Sequence, residues 1–170
     1  MSEVKVVDDF LPKEHFKIVQ DMMLGVEFPW YYNHVIDYLD EEGKFQFTHS
    51  FFGNHKANST FLEDWYPILF KPIVGWGILD RIKANLLIKT PEIVENSFHT
   101  DIQLSVKKPL TTSIFYVNTN NGYTKFKDGT IVKSIENRLL TFPVNKEHTG
   151  TTCTDENTRV VINLLYMSYE

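Results

Sequence analysis

Short segments of strand-forming residues follow one another through the second half of this chain, and this pattern constrains the fold more than any other feature. The segments are rich in Val, Ile, Thr, Tyr and Phe and are bounded by turn residues, which is typical of β-strands. Asp128-Gly129 adds the signature of a tight hairpin turn. Strands are predicted over residues 4–7, 45–51, 82–89, 101–106, 112–117, 124–126, 130–132, 139–143 and 159–168.

Helical signals precede most of these strands. Phe16, Val19 and Met23 recur at helical spacing behind Pro12, and proline is well tolerated in the first turn of a helix. Gly25 can end the helix, because glycine is common just beyond a helix C-terminus. These positions predict an amphipathic helix near the N-terminus.

A second helical region is predicted from Thr60 onward. Thr60 and Glu63 match a capping box, in which the two side chains bond to backbone N–H groups of the first turn. Pro67 and Pro72 must kink or divide this region. Helices followed by many antiparallel strands predict an α+β fold. Because the sequence contains no linker, low-complexity tract or internal repeat, we expect a single domain spanning residues 1–170.

Composition and charge exclude some classes of protein. Hydrophobic residues make up 42% and charged residues 23% of the chain, proportions typical of a soluble globular protein. The formal net charge is −5, the isoelectric point is near 5.7, and no cluster of Lys and Arg is present. Broad electrostatic capture of nucleic acid requires such a basic surface. Nucleic acid is therefore not the expected partner.

The N-terminus and the cysteine content predict the location of the protein. Glu3, Asp8 and Asp9 lie where a signal peptide needs an uninterrupted apolar core, and no segment reaches the ~20 apolar residues of a membrane span. Cys153 is the only cysteine, so no intrachain disulfide can form and a reducing compartment is the simplest location. We predict a cytoplasmic protein that does not interact with membranes.

A metal site is predicted around the segment Phe98-His99-Thr100-Asp101. Residues i and i+2 of a strand share a face, with their Cα atoms roughly 6.5 to 7 Å apart, so His99 and Asp101 could bind one ion. His148 would supply a third ligand if the intervening strands return the chain to this point. Two imidazoles and one carboxylate form the facial triad of non-haem Fe(II) oxygenases, which leaves coordination positions open for a cosubstrate and O₂.

Arg159 extends this prediction to an anion. It opens the apolar, β-branched stretch 159–166, which is typical of a well-buried strand, and a buried arginine needs an anionic partner. Fe(II), Asp101 and a dicarboxylate together carry one net negative charge, which the arginine would neutralise. Its planar guanidinium suits a carboxylate and stays protonated at any working pH.

Each of these residues also has a simpler interpretation when taken alone. A His-x-Asp pair arises readily by chance in a chain with six histidines, and His148 lies in a segment typical of a solvated turn. Arg159 follows Asp155 and Glu156 and could form a local surface ion pair worth under about 1 kcal/mol. The functional interpretation therefore depends on the combination of residues, their order and their strand contexts.

The sequence resembles the 2-oxoglutarate/Fe(II) dioxygenases, and more narrowly the prolyl-4-hydroxylase-like group with its short microbial and phage-type members. The resemblance runs from about Phe10 to the C-terminus. In that group, a Tyr-Leu-Asn strand, a Gly-Gly-Thr-x-Phe strand, an Arg-Leu strand ending in Phe and the distal histidine follow in order. The matching segments here are Ser113-Ile-Phe-Tyr-Val-Asn118, Gly122-Tyr-Thr-Lys-Phe126, Asn137-Arg-Leu-Leu-Thr-Phe142 and His148-Thr-Gly150.

The resemblance implies a double-stranded β-helix, a jelly-roll barrel of the cupin kind, with N-terminal helices packed on one sheet and iron at the open end. It implies that the iron ligands are His99, Asp101 and His148. Arg159 would bind the distal carboxylate of 2-oxoglutarate, with Tyr116 as a second hydrogen-bonding partner.

Three further positions qualify this assignment. Asn85, on a predicted strand, could add another polar contact to the cosubstrate, or could serve as a structural hydrogen-bonding residue. Tyr123 stands in place of the group's second glycine. Val161 stands where some relatives have a serine, so a hydroxyl contact to the cosubstrate is missing or comes from elsewhere.

The implied reaction is hydroxylation of a substrate C–H bond coupled to decarboxylation of 2-oxoglutarate to succinate and CO₂, with ascorbate as a reductant. The resemblance favours a prolyl or other peptidyl side chain as substrate, and leaves open a small molecule or a nucleobase. Two other functions stay open: a non-catalytic jelly-roll module that binds metal, and a Zn(II)-dependent hydrolase or isomerase using the same ligands.

Overall fold

Two facing antiparallel sheets form the framework of the protein in the computed structural model, which describes residues 4–36, 43–102 and 110–168. The larger sheet has the strand order β1-β9-β6-β11-β5-β3-β2, with β4 paired to β3, and the smaller sheet has the order β10-β7-β8. The strands are β1 (Lys5–Val7), β2 (Tyr31–Asn33), β3 (Gln46–Gly53), β4 (Lys56–Ala57), β5 (Ile78–Ile88), β6 (Thr111–Tyr116), β7 (Tyr123–Phe126), β8 (Ile131–Lys133), β9 (Arg138–Pro143), β10 (His148–Gly150) and β11 (Thr158–Met167).

Residues 94–99 extend the smaller sheet along β10. Glu95 pairs with Thr151 and His99 pairs with His148, both in antiparallel bridges. The N–H of Asn96 also donates to the carbonyl of Gly150 at 3.1 Å. This pairing brings the two predicted metal-binding histidines together.

The larger sheet buries side chains on both of its faces, as the alternation along β6 shows. Phe115 belongs to the core between the sheet and the helices, whereas Ile114 and Tyr116 belong to a second core between the two sheets. Successive residues of a strand point to opposite faces, so a nearly continuous apolar sequence supplies both cores. The helical core stabilises the outer face and leaves the inner face available for a cavity.

The N-terminal helix is confirmed. α1 (Lys13–Leu24) follows Pro12, ends before Gly25, and buries Phe16, Val19 and Met23. The Phe16 ring contacts the Phe115 ring edge to face, with centroids 6.1 Å apart. The predicted α+β arrangement, with N-terminal helices on one sheet, is therefore what the structure shows.

The second helical region divides at its prolines, as predicted. It consists of α2 (Phe61–Trp65), a π-helical turn (Tyr66–Phe70) that contains Pro67, and α3 (Lys71–Val74), which contains Pro72. The capping box is wrong, because Thr60 has helical backbone angles and its side chain makes no capping bond. Instead, the N–H of Phe61 donates to Ser59 Oγ at 3.2 Å.

Most predicted strands are confirmed with shifted ends; β5, for example, begins earlier, at Ile78. The prediction for 101–106 is wrong at its start, since Asp101 and Ile102 form a bend, and residues 103–106 lie outside the described residues. β2, β4 and β10, which have only two or three residues each, were not predicted. No helix of the described segments has the length and apolar character needed to cross a membrane.

Candidate active site

A cavity of about 270 Å³ lies between the two sheets. Its floor is the inner face of β5 and β11, where Leu87 is paired with Arg159, Asn85 with Val161, and Lys83 with Asn163. All six residues line the cavity, as do His99, Asp101 and His148. Polar side chains thus occupy inward positions on two central strands, which would be costly unless they bind a ligand or each other.

The three predicted metal ligands lie together. One ligand atom from each of His99, Asp101 and His148 falls within 4.8 Å of the others. Two backbone hydrogen bonds of 3.0 Å join His99 to His148, and their ring centroids are 4.7 Å apart. Asp101 Oδ2 lies 3.7 Å from His148 Nε2. The strand argument for His99 and Asp101 is wrong in detail, because a bend, not a strand, places Asp101.

Backbone carbonyls orient both imidazoles. Nδ1 of His99 lies 3.2 Å from the Ser97 carbonyl, and Nδ1 of His148 lies 3.1 Å from the Lys146 carbonyl. A carbonyl oxygen only accepts, so in the neutral imidazole Nδ1 carries the proton and Nε2 the lone pair. This is the tautomer that a histidine needs to bind a metal through Nε2.

The Asp101 carboxylate is 6% exposed and held at both oxygens. Arg81 Nη2 donates to Oδ1 at 3.1 Å, and Thr112 Oγ1 donates to Oδ2 at 2.8 Å. Neither partner was predicted from the sequence. A signal for Arg81 was present, because Arg81, Lys83 and Asn85 alternate with apolar residues and therefore share one face of a strand.

Arg159 is 3% exposed at the far end of the cavity floor. Its Nε donates to Ser134 Oγ at 2.8 Å and its Nη2 to Thr124 Oγ1 at 3.3 Å, while its guanidinium carbon lies 5.8 Å from the centre of the Tyr116 ring. Within the described segments no carboxylate pairs with it, so the surface ion pair with Asp155 or Glu156 does not form. Burial lowers the pKa of Arg159 by desolvating its charge, and a bound anion would oppose that effect.

Two glycines make room for this arginine. A Cβ atom at Gly122 would lie 2.6 Å from Arg159 Cδ and 2.8 Å from the Thr152 carbonyl oxygen, and one at Gly150 would lie 3.3 Å from Arg159 Nη1. Both glycines belong to the segments that carry the family resemblance. Their absence of a side chain lets the guanidinium reach the cavity.

Tyr116 lies behind the cavity wall. It is fully buried, does not line the cavity, and its hydroxyl donates to Thr124 Oγ1 at 2.8 Å. Burial raises the pKa of Tyr116 and keeps the hydroxyl protonated as a donor. Thr124, which the sequence did not single out, faces the cavity and contacts both Tyr116 and Arg159.

Asn85 lines the cavity between the triad and Arg159. Its Oδ1 is buried and has no hydrogen-bonding partner among the described residues. The same is true of three atoms of other lining residues: Arg81 Nε, Asn96 Oδ1 and Asn163 Oδ1. Buried polar atoms are usually satisfied, so these atoms are suited to contact a ligand.

Comparison with known proteins identifies the fold. No protein-family model matches the chain, and no curated protein matches it. Solved structures do match: an oxidoreductase of the 2OG-Fe(II) oxygenase family from Burkholderia pseudomallei aligns over 98% of this chain and 86% of its own, with a TM-score of 0.66 at 9% identity. The chain has the fold of the 2-oxoglutarate/Fe(II) oxygenases.

Prolyl hydroxylases share this fold. The viral collagen prolyl hydroxylase of Paramecium bursaria Chlorella virus-1, solved with 2-oxoglutarate, aligns over 99% of this chain and 97% of its own, with a TM-score of 0.57 at 11% identity. A prolyl hydroxylase from Trichoplax adhaerens, solved with a hypoxia-inducible-factor peptide, aligns over 97% and 83%, with a TM-score of 0.62 at 14% identity. The predicted resemblance and jelly-roll fold are confirmed at the level of the fold, although the two sheets do not close into a barrel.

Proposed function

We propose that this protein is an Fe(II)- and 2-oxoglutarate-dependent dioxygenase that hydroxylates a C–H bond of its substrate. The observation that carries the proposal is the convergence of His99, Asp101 and His148 within 4.8 Å, in a cavity that also contains the buried Arg159. A structural metal site has no use for a buried arginine without a carboxylate partner, whereas a dicarboxylate cosubstrate needs one. The presence of the triad and Arg159 in one cavity therefore favours this proposal over a non-catalytic metal-binding module.

The donor set fits ferrous iron. Two imidazoles and one carboxylate are the protein ligands of non-haem Fe(II) oxygenases, and both histidines are held in the tautomer that ligates through Nε2. Bound iron would supply the redox chemistry, in which O₂ and 2-oxoglutarate yield succinate, CO₂ and one oxygen atom for the substrate C–H bond. Ascorbate would serve as an external reductant.

The cavity floor would bind 2-oxoglutarate. Arg159 would pair with the distal carboxylate, and Thr124 would offer its hydroxyl beside the guanidinium, with Tyr116 supporting it from behind. Asn85 is placed to contact the cosubstrate between Arg159 and the triad. Thr124 could also supply the hydroxyl that Val161 lacks, because it lies within 3.3 Å of the arginine.

For the substrate, we propose a peptidyl side chain such as proline. The Trichoplax adhaerens structure of the same fold was solved with a peptide. The cavity of about 270 Å³ lies below the usual 300–1,000 Å³ of small-molecule sites, so cosubstrate and one side chain would fill it. A peptide backbone would then lie outside the mouth while one side chain enters.

The test is a turnover assay with the purified protein, Fe(II), ascorbate, O₂ and labelled 2-oxoglutarate, with and without candidate peptides. We expect succinate and CO₂, with more of both when a substrate is present, and none from His148→Ala. Anaerobic binding of 2-oxoglutarate to the Fe(II) protein is measured separately. Failure of the wild-type protein to bind 2-oxoglutarate under those conditions contradicts the proposal.

A further inference from the structure

We propose that Arg81 is a positioning residue, which holds the Asp101 carboxylate in its metal-binding orientation. The inference rests on the proposed function, because it concerns the same metal centre. The orientation of the Asp101 carboxylate would then be set by a residue of the cavity floor and not by the three ligands alone. Arg81 would act through Asp101 and would not touch the metal.

The two carboxylate oxygens of Asp101 have different hydrogen-bond donors. Arg81 Nη2 donates to Oδ1 at 3.1 Å. Oδ2 is the oxygen near His148 Nε2, at 3.7 Å, and it accepts the Thr112 hydroxyl at 2.8 Å. An oxygen that accepts one hydrogen bond keeps a second lone pair. The pair of donors therefore fixes the plane of the carboxylate with Oδ2 near His148.

The local backbone does not provide this orientation. Asp101 lies in a bend, where no ladder of strand hydrogen bonds fixes the direction of a side chain. Arg81, by contrast, belongs to β5, which pairs with β11 on one side and β3 on the other, and its own partner is Leu165 of β11. The arginine thus ties an irregular segment to a strand of the larger sheet that has a paired neighbour on each side.

Two opposing effects decide how Arg81 changes metal affinity. Its positive charge near a divalent cation is repulsive and would weaken binding. Its hydrogen bond keeps a 6% exposed carboxylate in place, and loss of a partner of this kind typically costs about 10- to 100-fold in metal affinity. We infer that orientation outweighs repulsion, because the guanidinium contacts Oδ1 while the other oxygen, Oδ2, is the one near His148. Removal of Arg81 should then weaken metal binding.

The test measures the Kd for Mn(II), an air-stable probe, by electron paramagnetic resonance of the unbound ion. We compare the wild-type protein with Arg81→Met, which removes charge and donors, and Arg81→Lys, which keeps the charge but loses the planar guanidinium. Arg138→Met is the matched control, because it removes another arginine–aspartate pair of the larger sheet, with Asp8, outside the cavity. Thermal unfolding monitored by circular dichroism establishes that each variant is folded.

For Arg81→Met we expect the Kd for Mn(II) to rise about tenfold or more, the lower end of the usual range. Arg81→Lys should give a smaller rise, and Arg138→Met none. The visible spectrum of the Co(II) protein should change in Arg81→Met and not in Arg138→Met, because the carboxylate is no longer held. If Arg81→Met does not fold, Arg81→Lys alone decides by the same readouts.

An unchanged or lower Kd in the Arg81 variants, with wild-type binding intact, overturns the positioning role and leaves the proposed function standing. Repulsion by the guanidinium would then be the dominant effect. A lower unfolding temperature with unchanged Kd and Co(II) spectrum would likewise reduce Arg81 to a structural ion pair. If the wild-type protein binds no Mn(II), the proposed function fails, and this inference fails with it.

Discussion

At the scale of single residues, the site carries more positive charge than the sequence predicts. Counting Fe(II), Asp101, 2-oxoglutarate and Arg159 gave a neutral assembly, and Arg81 was left out. The structure places Arg81 on Asp101 at 3.1 Å and Lys83 on the cavity floor, so the cavity has positively charged side chains that this count left out. Arg159 stays available for an exogenous carboxylate, because its hydrogen-bonding partners among the described residues are the hydroxyls of Ser134 and Thr124.

Replacing Arg159 should therefore separate cosubstrate binding from metal binding. In Arg159→Ala we expect the Kd for 2-oxoglutarate to rise at least about tenfold, since a charge-assisted hydrogen bond contributes about 1.5–3 kcal/mol. The Kd for Mn(II) should stay within about twofold, because the arginine does not contact the triad. Isothermal titration of both ligands measures this, with Arg138→Ala as control. Equal loss of both affinities would mean that Arg159 is structural.

At the scale of elements, strand pairing decides which residues meet. β7 begins at Tyr123, next to Gly122, and hydrogen bonds of this glycine with Asn120 and Ser134 hold it against the Arg159 side chain. Both Gly122 and Arg159 were named from the sequence, but their spacing does not reveal that they are in contact. The strand segments themselves were predicted, but their register across the two sheets was not.

Adding one methyl group at this contact should disturb cosubstrate binding. In Gly122→Ala the new Cβ would lie 2.6 Å from Arg159 Cδ and 2.8 Å from a backbone oxygen, so the arginine must move. We expect a Kd for 2-oxoglutarate raised severalfold and a small loss of stability, within about 1–3 kcal/mol for overpacking. Gly53→Ala is the control, because its Cβ would meet only an ordinary contact at 3.5 Å. Unchanged 2-oxoglutarate binding in Gly122→Ala would show that Arg159 can shift freely.

At the scale of the whole molecule, the larger sheet has the helical core on one face and the cavity on the other. Its outer face packs on α1, α2 and α3 in one apolar core, and its inner face forms the cavity. His49 belongs to the helical side: Nδ1 lies 2.8 Å from the Pro29 carbonyl and Nε2 lies 2.8 Å from Ser59 Oγ. This buried histidine joins segments that lie 20 residues before it and 10 residues after it.

His49 should make the stability depend on pH. Burial lowers its pKa below the ordinary 6.5, and the bond to Pro29 offsets this only in part. As pH falls through about 6.5, the unfolded chain therefore binds a proton before the folded chain, and the free energy of unfolding decreases. Urea unfolding at pH 7.5 and 5.5 should show that the free energy of unfolding of the wild-type protein falls between these pH values. The fall should be smaller in His49→Asn. The control is the exposed His55, because His55→Asn should leave the fall in unfolding free energy as it is in the wild-type protein. The prediction is contradicted if His49→Asn shows the same fall as the wild-type protein.

The sequence by itself determined the candidate site residues and the placement of most strands, because both can be read from residue types and their order along the chain. A strand is recognisable from its own residues, and His99, Asp101, His148 and Arg159 are recognisable from their types and order. Only the tertiary structure decided the supporting contacts: Arg81 and Thr112 on Asp101, and Thr124 between Tyr116 and Arg159. These contacts join separate strands, and their geometry depends on register and on a bend that leaves no periodic signal in the sequence.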